Sequence, residues 1–358
     1  MTRNFAVVAG VLLLIGSAMS AVESSLPNGT IWVTERTSGN STVAAIDAAT
    51  GTPRGIVAVG NTPIGITAPR GLKKVYSSDE GANQLSVIDK DSVTVLTTIP
   101  MGPGSRPHHL MASRNGHTIY VAKYGTNRVG LVDTQRDENI CDLTASNNVA
   151  AKTHAVWISR NGRDLYATNE GAAQGDPGTL SQIDLRDGCD AAGRPPVWEI
   201  TVGRRPSEVL VFDGIAYVSV RNDHVVRAYD VSAGTPAAAL WEAEAQFSPD
   251  TLSITNDGQT LIVGLRGTPA RMAFIDTDSH ATQYLALPGT TTGHQWLSRN
   301  GRFTYIAIER NATPPGQTGA IGVVDNRLRS VVAVYPYPNG RLQPHGVFFE
   351  PPDQEDEQ

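Results

Sequence analysis

An apolar run that ends in aspartate recurs seven times along the 358 residues of the chain, and it constrains the fold more than any other feature. The spacings between successive aspartates are 42, 44, 51, 46, 46 and 49 residues. The seven are Asp47, Asp89, Asp133, Asp184, Asp230, Asp276 and Asp325. Copies of this length indicate a repeat architecture, in which each copy is one supersecondary unit that buries its apolar face against its neighbours.

Each copy also contains a second short apolar segment ahead of the aspartate run, and neither segment has helical periodicity. An example is Ile119-Tyr120-Val121, and pairs such as Asn115-Gly116 and Asp257-Gly258 mark tight turns between segments. Charged residues make up only 18% of the chain, which has 35 Gly and 22 Pro, and this also suits short strands and many turns. The sequence therefore predicts an all-β protein, a seven-bladed β-propeller with four-stranded blades, over residues 28–350.

The phase of the repeats predicts how the ring closes. The first copy begins with what corresponds to the second strand of a blade, at 30–35, whereas the last copy ends with an unpartnered innermost strand at 344–349. We expect this C-terminal strand to complete the first blade, because closure of the ring removes exposed sheet edges.

Two stretches of the repeat carry a family resemblance. Tyr120-Val121-Ala122 with the run ending at Asp133, and Val87-Ile88-Asp89 followed by Thr98 to Gly102 and by Pro107, resemble the repeat of the YVTN-type seven-bladed propellers. The resemblance extends over essentially the whole mature chain and implies the propeller fold. It implies little about activity, because related propellers include lactonases, lyases, surface proteins and heavy chains of amine dehydrogenases.

One position of the repeat is rich in histidine. Only 8 residues of the chain are His, yet four of them occupy the same slot at the start of an innermost strand. In chain order the slot holds Ile64, His108, His154, Ser207, Asp250, His294 and His345. Because innermost strands surround the central channel, we expect these imidazoles to form one cluster on the propeller axis. If the register is shifted by one residue, His109 takes the place of His108.

The loops that follow each second strand are expected to open on the same face as the histidines. They carry Glu35, Asp79, Glu80, Lys123, Asn169, Glu170, Arg221, Arg266 and Glu309. Carboxylates near a metal-bound imidazole orient its ring, which makes these loops the expected rim of a site.

The leading hypothesis is an exported metalloenzyme acting on a small organic molecule. In it His108, His154, His294 and His345 hold one metal ion, and Asp250 is a fifth ligand or a base. An all-histidine shell favours Cu or Fe and thus a copper or iron oxidoreductase, with Zn or another divalent ion as the alternative. The arrangement resembles the histidine hubs of nitrous oxide reductases and of carotenoid-cleaving oxygenases. The chain lacks the cupredoxin domain of the former and is shorter than the latter.

Two other functions remain open. A redox-neutral lyase or lactonase would use a divalent ion to polarise a carbonyl group, with Glu80, Glu170 or Glu309 as the base. In that enzyme Arg221 or Arg266 would clamp the substrate. A non-catalytic propeller would instead bind a protein partner at its surface, and its hub would be vacant or structural.

The N-terminus and the cysteines indicate export. Arg3, the apolar run at 5–18 and Ala18-Met19-Ser20 are typical of a secretory signal peptide, assigned to residues 1–20. No later segment is long and apolar enough for stable membrane insertion. Cys141 and Cys189 fall in the outer parts of adjacent blades, which predicts a disulfide between them in a secreted or periplasmic protein.

The net charge of the chain and the composition of its last residues allow two further predictions. A formal charge of −6 argues against binding to nucleic acid. Residues 351–358 are acidic, and we predict a disordered tail there.

Overall fold

The computed structural model describes residues 26–37, 39–309, 319–341 and 343–352. This part of the chain contains 28 strands and three short 3-10 helices, which confirms the predicted all-β class. The 3-10 helices are Glu80–Ala82, Gly188–Ala191 and Pro338–Gly340. The predicted signal peptide and residues 353–358 of the predicted tail lie outside the described residues. No helix in the described ranges has the length and apolarity needed to cross a membrane.

Within the described ranges the strands form seven antiparallel sheets of four strands each, which confirms the seven-bladed propeller. From the axis outward, blade 1 consists of β28 (Pro344–Glu350), β1 (Thr30–Glu35), β2 (Thr42–Asp47) and β3 (Pro53–Ala58). Blades 2 and 3 consist of β4 (Pro63–Thr67), β5 (Lys74–Asp79), β6 (Gln84–Asp89) and β7 (Thr94–Pro100), then β8 (Pro107–Ala112), β9 (Thr118–Lys123), β10 (Arg128–Asp133) and β11 (Glu138–Thr144).

The other four blades follow the same order from the axis outward. Blades 4 and 5 consist of β12 (Lys152–Ile158), β13 (Asp164–Glu170), β14 (Pro177–Asp184) and β15 (Trp198–Arg204), then β16 (Pro206–Phe212), β17 (Ile215–Val220), β18 (Val225–Asp230) and β19 (Trp241–Glu244). Blades 6 and 7 consist of β20 (Ser248–Ile254), β21 (Thr260–Arg266), β22 (Arg271–Asp276) and β23 (Thr282–Ala286), then β24 (Thr291–Leu297), β25 (Phe303–Glu309), β26 (Ala320–Asp325) and β27 (Ser330–Pro336).

The ring is closed by the C-terminal strand, as the repeat phase predicts. In blade 1, β28 pairs antiparallel with β1, so that Ile31 faces Phe349. Phe349 also stacks on Tyr305 of blade 7, with 5.0 Å between ring centroids. Burial of each such side chain contributes on the order of 2 kcal/mol. The closure therefore rests on apolar packing as well as on the hydrogen bonds of the strand pair.

The aspartate that defines the repeat has a structural role. In each blade its carboxylate accepts hydrogen bonds from backbone N–H groups two or three residues further on, which holds the turn into the outermost strand. In blade 1, for example, Asp47 Oδ1 accepts from the N–H of Ala49 at 3.1 Å and from that of Thr50 at 3.0 Å. The same turn recurs at Asp89, Asp133, Asp184, Asp230, Asp276 and Asp325.

A disulfide ties two neighbouring blades together. Cys141 in β11 of blade 3 is bonded to Cys189 in the 3-10 helix of blade 4, and the two Cα atoms lie 5.7 Å apart. The predicted disulfide is therefore confirmed. Such cross-links are typical of exported proteins.

Candidate functional site

Every blade has a β-bulge at the slot that holds the histidines. In blade 3, for example, Pro107 pairs with Lys123 and Leu110 pairs with Val121, so two residues of β8 lie opposite one residue of β9. A bulge bends the strand and re-aims the side chain at the extra position. The repetition of the bulge explains how the same slot contributes to one site from several blades.

Three of the four slot histidines line one polar pocket on the axis, with a volume of about 220 Å³. They are His108, His154 and His345, and the rings of His108 and His154 are 4.2 Å apart between centroids. His294 lies 4.7 Å from His345 by the same measure, but it lines a different cavity. The pocket is also lined by five of the described arginines, Arg36, Arg106, Arg205, Arg221 and Arg266.

A second repeat position supplies the charged wall of the polar pocket. It lies four residues after the bulky residue of each second strand, as Arg36 follows Trp32 and Tyr124 follows Tyr120. In the seven blades this position holds Arg36, Glu80, Tyr124, Glu170, Arg221, Arg266 and Glu309. Six of these side chains line the pocket, and Glu309 reaches it through His345. The histidine slot and this second repeat position thus supply most of the residues that line the polar pocket.

Side chains of this second position pair across neighbouring blades. Arg36 Nη2 lies 2.9 Å from Glu309 Oε2, which joins blade 1 to blade 7. The hydroxyl of Tyr124 donates to Glu170 Oε2 at 2.8 Å, and Arg221 Nη1 lies 3.7 Å from Glu170 Oε1. The pairs fix the orientation of the guanidinium groups before any ligand arrives.

Asp250 is the buried counter-ion of this network. Its carboxylate accepts from the hydroxyl of Ser207 at 2.5 Å and from Arg221 Nε at 2.9 Å, and Arg266 Nη1 lies 3.4 Å away. Burial alone would raise the pKa of this carboxyl group, but Arg221 and Arg266 hold it well below the ordinary value. Asp250 is therefore ionised and engaged by two cations.

The imidazoles of the site are uncharged at neutral pH. Burial lowers the pKa of His108, His154 and His345 well below the ordinary value, and nearby Arg221 or Arg36 acts in the same direction. For His294 burial lowers the pKa to about 4. Neutral imidazoles keep a lone pair, so they can act as bases or as ligands.

The hydrogen-bond partners identify which nitrogen keeps that lone pair. His345 Nδ1 lies 2.8 Å from Glu309 Oε1, and because a carboxylate only accepts, Nδ1 carries the proton and Nε2 the lone pair. The same tautomer holds for His154, whose Nε2 accepts from Arg221 Nη2 at 3.2 Å, so its Nδ1 carries the proton. His345 therefore has a ring oriented by Glu309, with its lone pair on Nε2.

The predicted metal ligands are brought together only in part. The Nδ1 atoms of His108 and His154 are buried without a hydrogen-bond partner, but His154 Nδ1 carries the ring proton, so of these two only His108 Nδ1 can offer a lone pair. Asp250, however, is engaged by Arg221 and Arg266, and His154 Nε2 by Arg221. Among the described residues no group of three or more His, Cys, Asp or Glu side chains is arranged to hold a metal ion. The arrangement as it stands does not fit a four-ligand or five-ligand centre, and the metal stays a prediction.

The predicted loop residues divide according to the alternation of side chains along a strand. Glu80, Glu170, Arg221 and Arg266 line the polar pocket. Residues one position earlier turn into the blades instead. Asp79, for example, accepts from the hydroxyls of Ser77 and Ser86, and the Lys123 ammonium donates to the backbone oxygen of Met101. Glu35 and Asn169 are likewise buried in contacts outside the pocket lining.

Four lining residues were not predicted from the sequence. Arg36 and Tyr124 occupy the second repeat position, and aligning the copies on their bulky residue would have revealed them. Arg106 and Arg205 each precede the proline that begins an innermost strand, and both have positive φ, 48° and 57°. The recurring Arg-Pro pair was the available signal for these two.

A second cavity, of about 210 Å³, occupies the other end of the channel. It is lined by later positions of the innermost strands, including His109, Trp157, Glu208, Leu252, Trp296 and Val347. We call it the apolar cavity. Because His109 and Glu208 line it, the residue that follows the histidine slot faces away from the polar pocket. His108, and not His109, lines the polar pocket.

The fold and the axial site together define a seven-bladed β-propeller with a preformed polar pocket at one end of its channel. Neither a protein-family model nor a curated protein sequence matches the chain. The YVTN-type resemblance therefore rests on the repeat residues alone.

Solved structures of the same fold are similar to nearly the whole chain. A putative 6-phosphogluconolactonase from Bacteroides fragilis has a TM-score of 0.71 at 16% identity, and the match covers 91% of this chain and 99% of the other. The periplasmic gluconolactonase of Pseudomonas aeruginosa has a TM-score of 0.69 at 15% identity, covering 90% and 99%. Hydrazine synthase from Kuenenia stuttgartiensis has a TM-score of 0.66 at 20% identity, covering 86% and 98%. Identities this low show the shared fold alone.

Proposed function

We propose that the chain is a hydrolase of a small anionic lactone and that the polar pocket is its active site. The observation that carries this proposal is the pairing of His345 with Glu309 beside a set of oriented arginines. A neutral, oriented imidazole is a general base, and guanidinium groups recognise carboxylates and phosphates.

The charge of the pocket favours an anionic substrate. Five arginines line it, whereas the carboxylates that pair with them are Glu80, Glu170, Asp250 and Glu309. Because the histidines are uncharged, the cluster has a net positive charge. Arg106 and Arg205 are the most exposed of its arginines, with 51% and 30% of their side chains accessible. These two form the rim that would first contact the anionic group.

His345 and its neighbours suit the hydrolysis of a cyclic ester. His345 Nε2 removes a proton from water as the water oxygen bonds to the lactone carbonyl carbon, and Glu309 holds the resulting imidazolium. Arg36 and Arg266, which flank Glu309, stabilise the negative charge on the carbonyl oxygen. The ring carbon–oxygen bond then breaks, and the imidazolium returns its proton to the leaving alkoxide. The products are a hydroxyl group and a carboxylic acid, which then releases its proton to solvent and becomes a carboxylate.

The comparisons support the reaction class and the location. Two of the similar structures are named as lactonases, and one of these is named as periplasmic. Together with the Cys141–Cys189 disulfide, this supports a secreted or periplasmic enzyme with a small-molecule substrate.

Copper- or iron-dependent oxidation of a small molecule is the second candidate. It is favoured by the buried, unpartnered Nδ1 atom of His108, whose ring lies 4.2 Å from that of His154 between centroids. Asp250 and His154 Nε2, the neighbouring candidate ligands, would first have to leave Arg221, which engages both. We therefore place lactone hydrolysis first.

The test is the hydrolysis of 6-phosphogluconolactone and of gluconolactone at pH 7, above their spontaneous rates. We expect His345→Ala to lower kcat/KM about a thousandfold, within the range typical of a general base. The matched control is His117→Ala, which alters an exposed histidine outside the pocket and should keep full activity. Arg106→Ala should raise KM for the phosphorylated lactone more than for the neutral one.

Two outcomes would overturn the proposal. One is a wild-type protein that accelerates hydrolysis of neither lactone. The other is about one equivalent of Cu or Fe by elemental analysis, lost in the His108→Ala/His154→Ala variant, which would put the oxidoreductase first.

A further inference from the structure

We infer that the apolar cavity is a second binding site, for a small neutral molecule with an aromatic or aliphatic body and a hydrogen-bonding group at one end. The inference does not depend on the proposed function, because the cavity and the polar pocket share no lining residue.

The walls of the apolar cavity are those of a preformed ligand site. Trp157 and Trp296 are partly exposed there, together with Met111 and Ile254, while Leu252 is buried. Apolar and aromatic side chains with few polar groups are the usual lining of small-molecule sites. Since innermost strands of all seven blades contribute, the cavity is rigid, and a ligand would lose little affinity to ordering of the protein.

His109 and Glu208 form one pair among the polar residues that line the cavity, which also include His294, Gln295 and Ser253. The N–H of Val156 donates to His109 Nδ1 at 3.4 Å, so Nε2 carries the ring proton and lies 3.3 Å from Glu208 Oε1. Burial lowers the pKa of His109 to about 3 and raises that of Glu208 well above its ordinary value. His109 is therefore neutral at pH 7, burial favours the uncharged acid form of Glu208, and the pair can exchange hydrogen bonds with a hydroxyl or carbonyl group.

The lining of the cavity disfavours the binding of anions. The described residues that line it include neither Arg nor Lys, in contrast to the polar pocket. An anion would therefore be desolvated without a cation to pair with, which is strongly unfavourable.

The volume sets the size of the ligand. An apolar cavity of roughly 150 Å³ accommodates benzene, and the apolar cavity here has about 210 Å³ with an open mouth. Two fused rings with a hydroxyl group fit this space and reach the His109–Glu208 pair.

The experiment compares 1-naphthol with 1-naphthalenesulfonate by isothermal titration of the full chain at pH 7. The two probes share the ring system and differ in charge. We expect one equivalent of 1-naphthol to bind, and the sulfonate to bind at least about tenfold more weakly because its charge is desolvated without a partner. Trp157→Ala should weaken naphthol binding about tenfold.

Two control variants distinguish binding at this site from nonspecific hydrophobic binding and from the effects of misfolding. Trp241→Ala alters a tryptophan in outer strand β19, away from the cavity, and should leave binding unchanged. Met111→Glu places a charge at the mouth, where the side chain is partly exposed, and should also weaken naphthol binding if Trp157→Ala does not fold. Absence of saturable naphthol binding, equal binding of both probes, or wild-type affinity in Met111→Glu would overturn the inference.

Discussion

The two ends of the channel are built from the same seven strands and have opposite chemistry. At the starts of the innermost strands, arginines and carboxylates surround neutral histidines in the polar pocket. A few residues further along the same strands, tryptophans and leucines surround the apolar cavity. In β8, His108 lines the first and His109 the second. The contrast shows that one step along a strand decides which kind of ligand a residue can meet.

The difference between the two ends is clearest in the pKa values of two buried carboxyl groups. Asp250 is flanked by Arg221 and Arg266, and its pKa lies well below the ordinary value although burial acts in the other direction. Glu208 has a neutral histidine as its partner, and burial raises its pKa well above the ordinary value. Burial acts in the same direction on both groups, so the local cations decide whether the pKa falls below or rises above the ordinary value.

Among the substitutions, the largest effect is expected when the cation beside Asp250 is removed. Arg221→Met leaves a buried carboxylate short of a partner, and the free energy of unfolding should fall by about 3–5 kcal/mol. Urea denaturation measures this. The matched control is Arg204→Met. The Arg204 side chain pairs with Asp223 but is 54% exposed, so its removal should change the free energy of unfolding by less than about 1 kcal/mol.

A second variant shows whether the charge is the cause. Adding Asp250→Asn to Arg221→Met should recover part of the lost stability, because the unpaired charge is then absent. Equal losses for Arg221→Met and Arg204→Met would mean that Asp250 is not a buried counter-ion.

The next effect is loss of stability in acid. The pKa values of the five histidines on the axis, His108, His109, His154, His294 and His345, are lowered in the folded protein, so the folded state binds fewer protons than the unfolded state below about pH 6.5. Stability is then lost as pH falls from 6.5 towards the folded values, by up to about 1.4 kcal/mol per pH unit for each histidine.

Acidic groups with raised pKa oppose this trend. Burial raises the pKa of Asp79 to about 6 and that of Glu208 well above its ordinary value, so both bind protons more tightly when folded and reduce the slope. Five histidines outweigh them, so unfolding free energy measured between pH 7 and pH 5 should fall. A flat profile would contradict the neutral imidazole cluster.

The smallest effect is a difference in stability between variants of two glutamates, one at each end of the channel. At pH 8, Glu208→Gln should leave stability unchanged or raise it by about 1 kcal/mol, because an uncharged amide replaces a buried acid. Glu170→Gln should lower stability by about 1–3 kcal/mol, because Tyr124, Arg205 and Arg221 lose a charged acceptor. Thermal unfolding measures both. Changes of the same sign would remove the distinction between the two ends.

The sequence was sufficient for the fold, because its signals are local and repeated. The aspartate runs mark turns that the structure contains in every blade, and the position of the C-terminal strand follows from the phase of the repeat. The pairing of Cys141 with Cys189 follows from the adjacency of blades 3 and 4.

The site was only partly predictable, because its geometry depends on contacts between distant blades. The histidine slot is visible in the sequence, but the bulge that aims it is not. Arg36 meets Glu309 across 273 positions of the chain, and no local pattern reports that pair. For the same reason the sequence did not reveal that arginines already neutralise Asp250, which is what makes the polar pocket resemble an anion site more than a metal centre.

One structure determination tests the account most directly: a crystal of the protein soaked with both 6-phosphogluconate and 1-naphthol. We predict that the phosphate or carboxylate of the sugar acid contacts Arg106, Arg205 or Arg221, and that 1-naphthol lies against Trp157 and Trp296 with its hydroxyl at the His109–Glu208 pair. Both probes in one cavity, or the sugar acid bound away from these arginines, would contradict it.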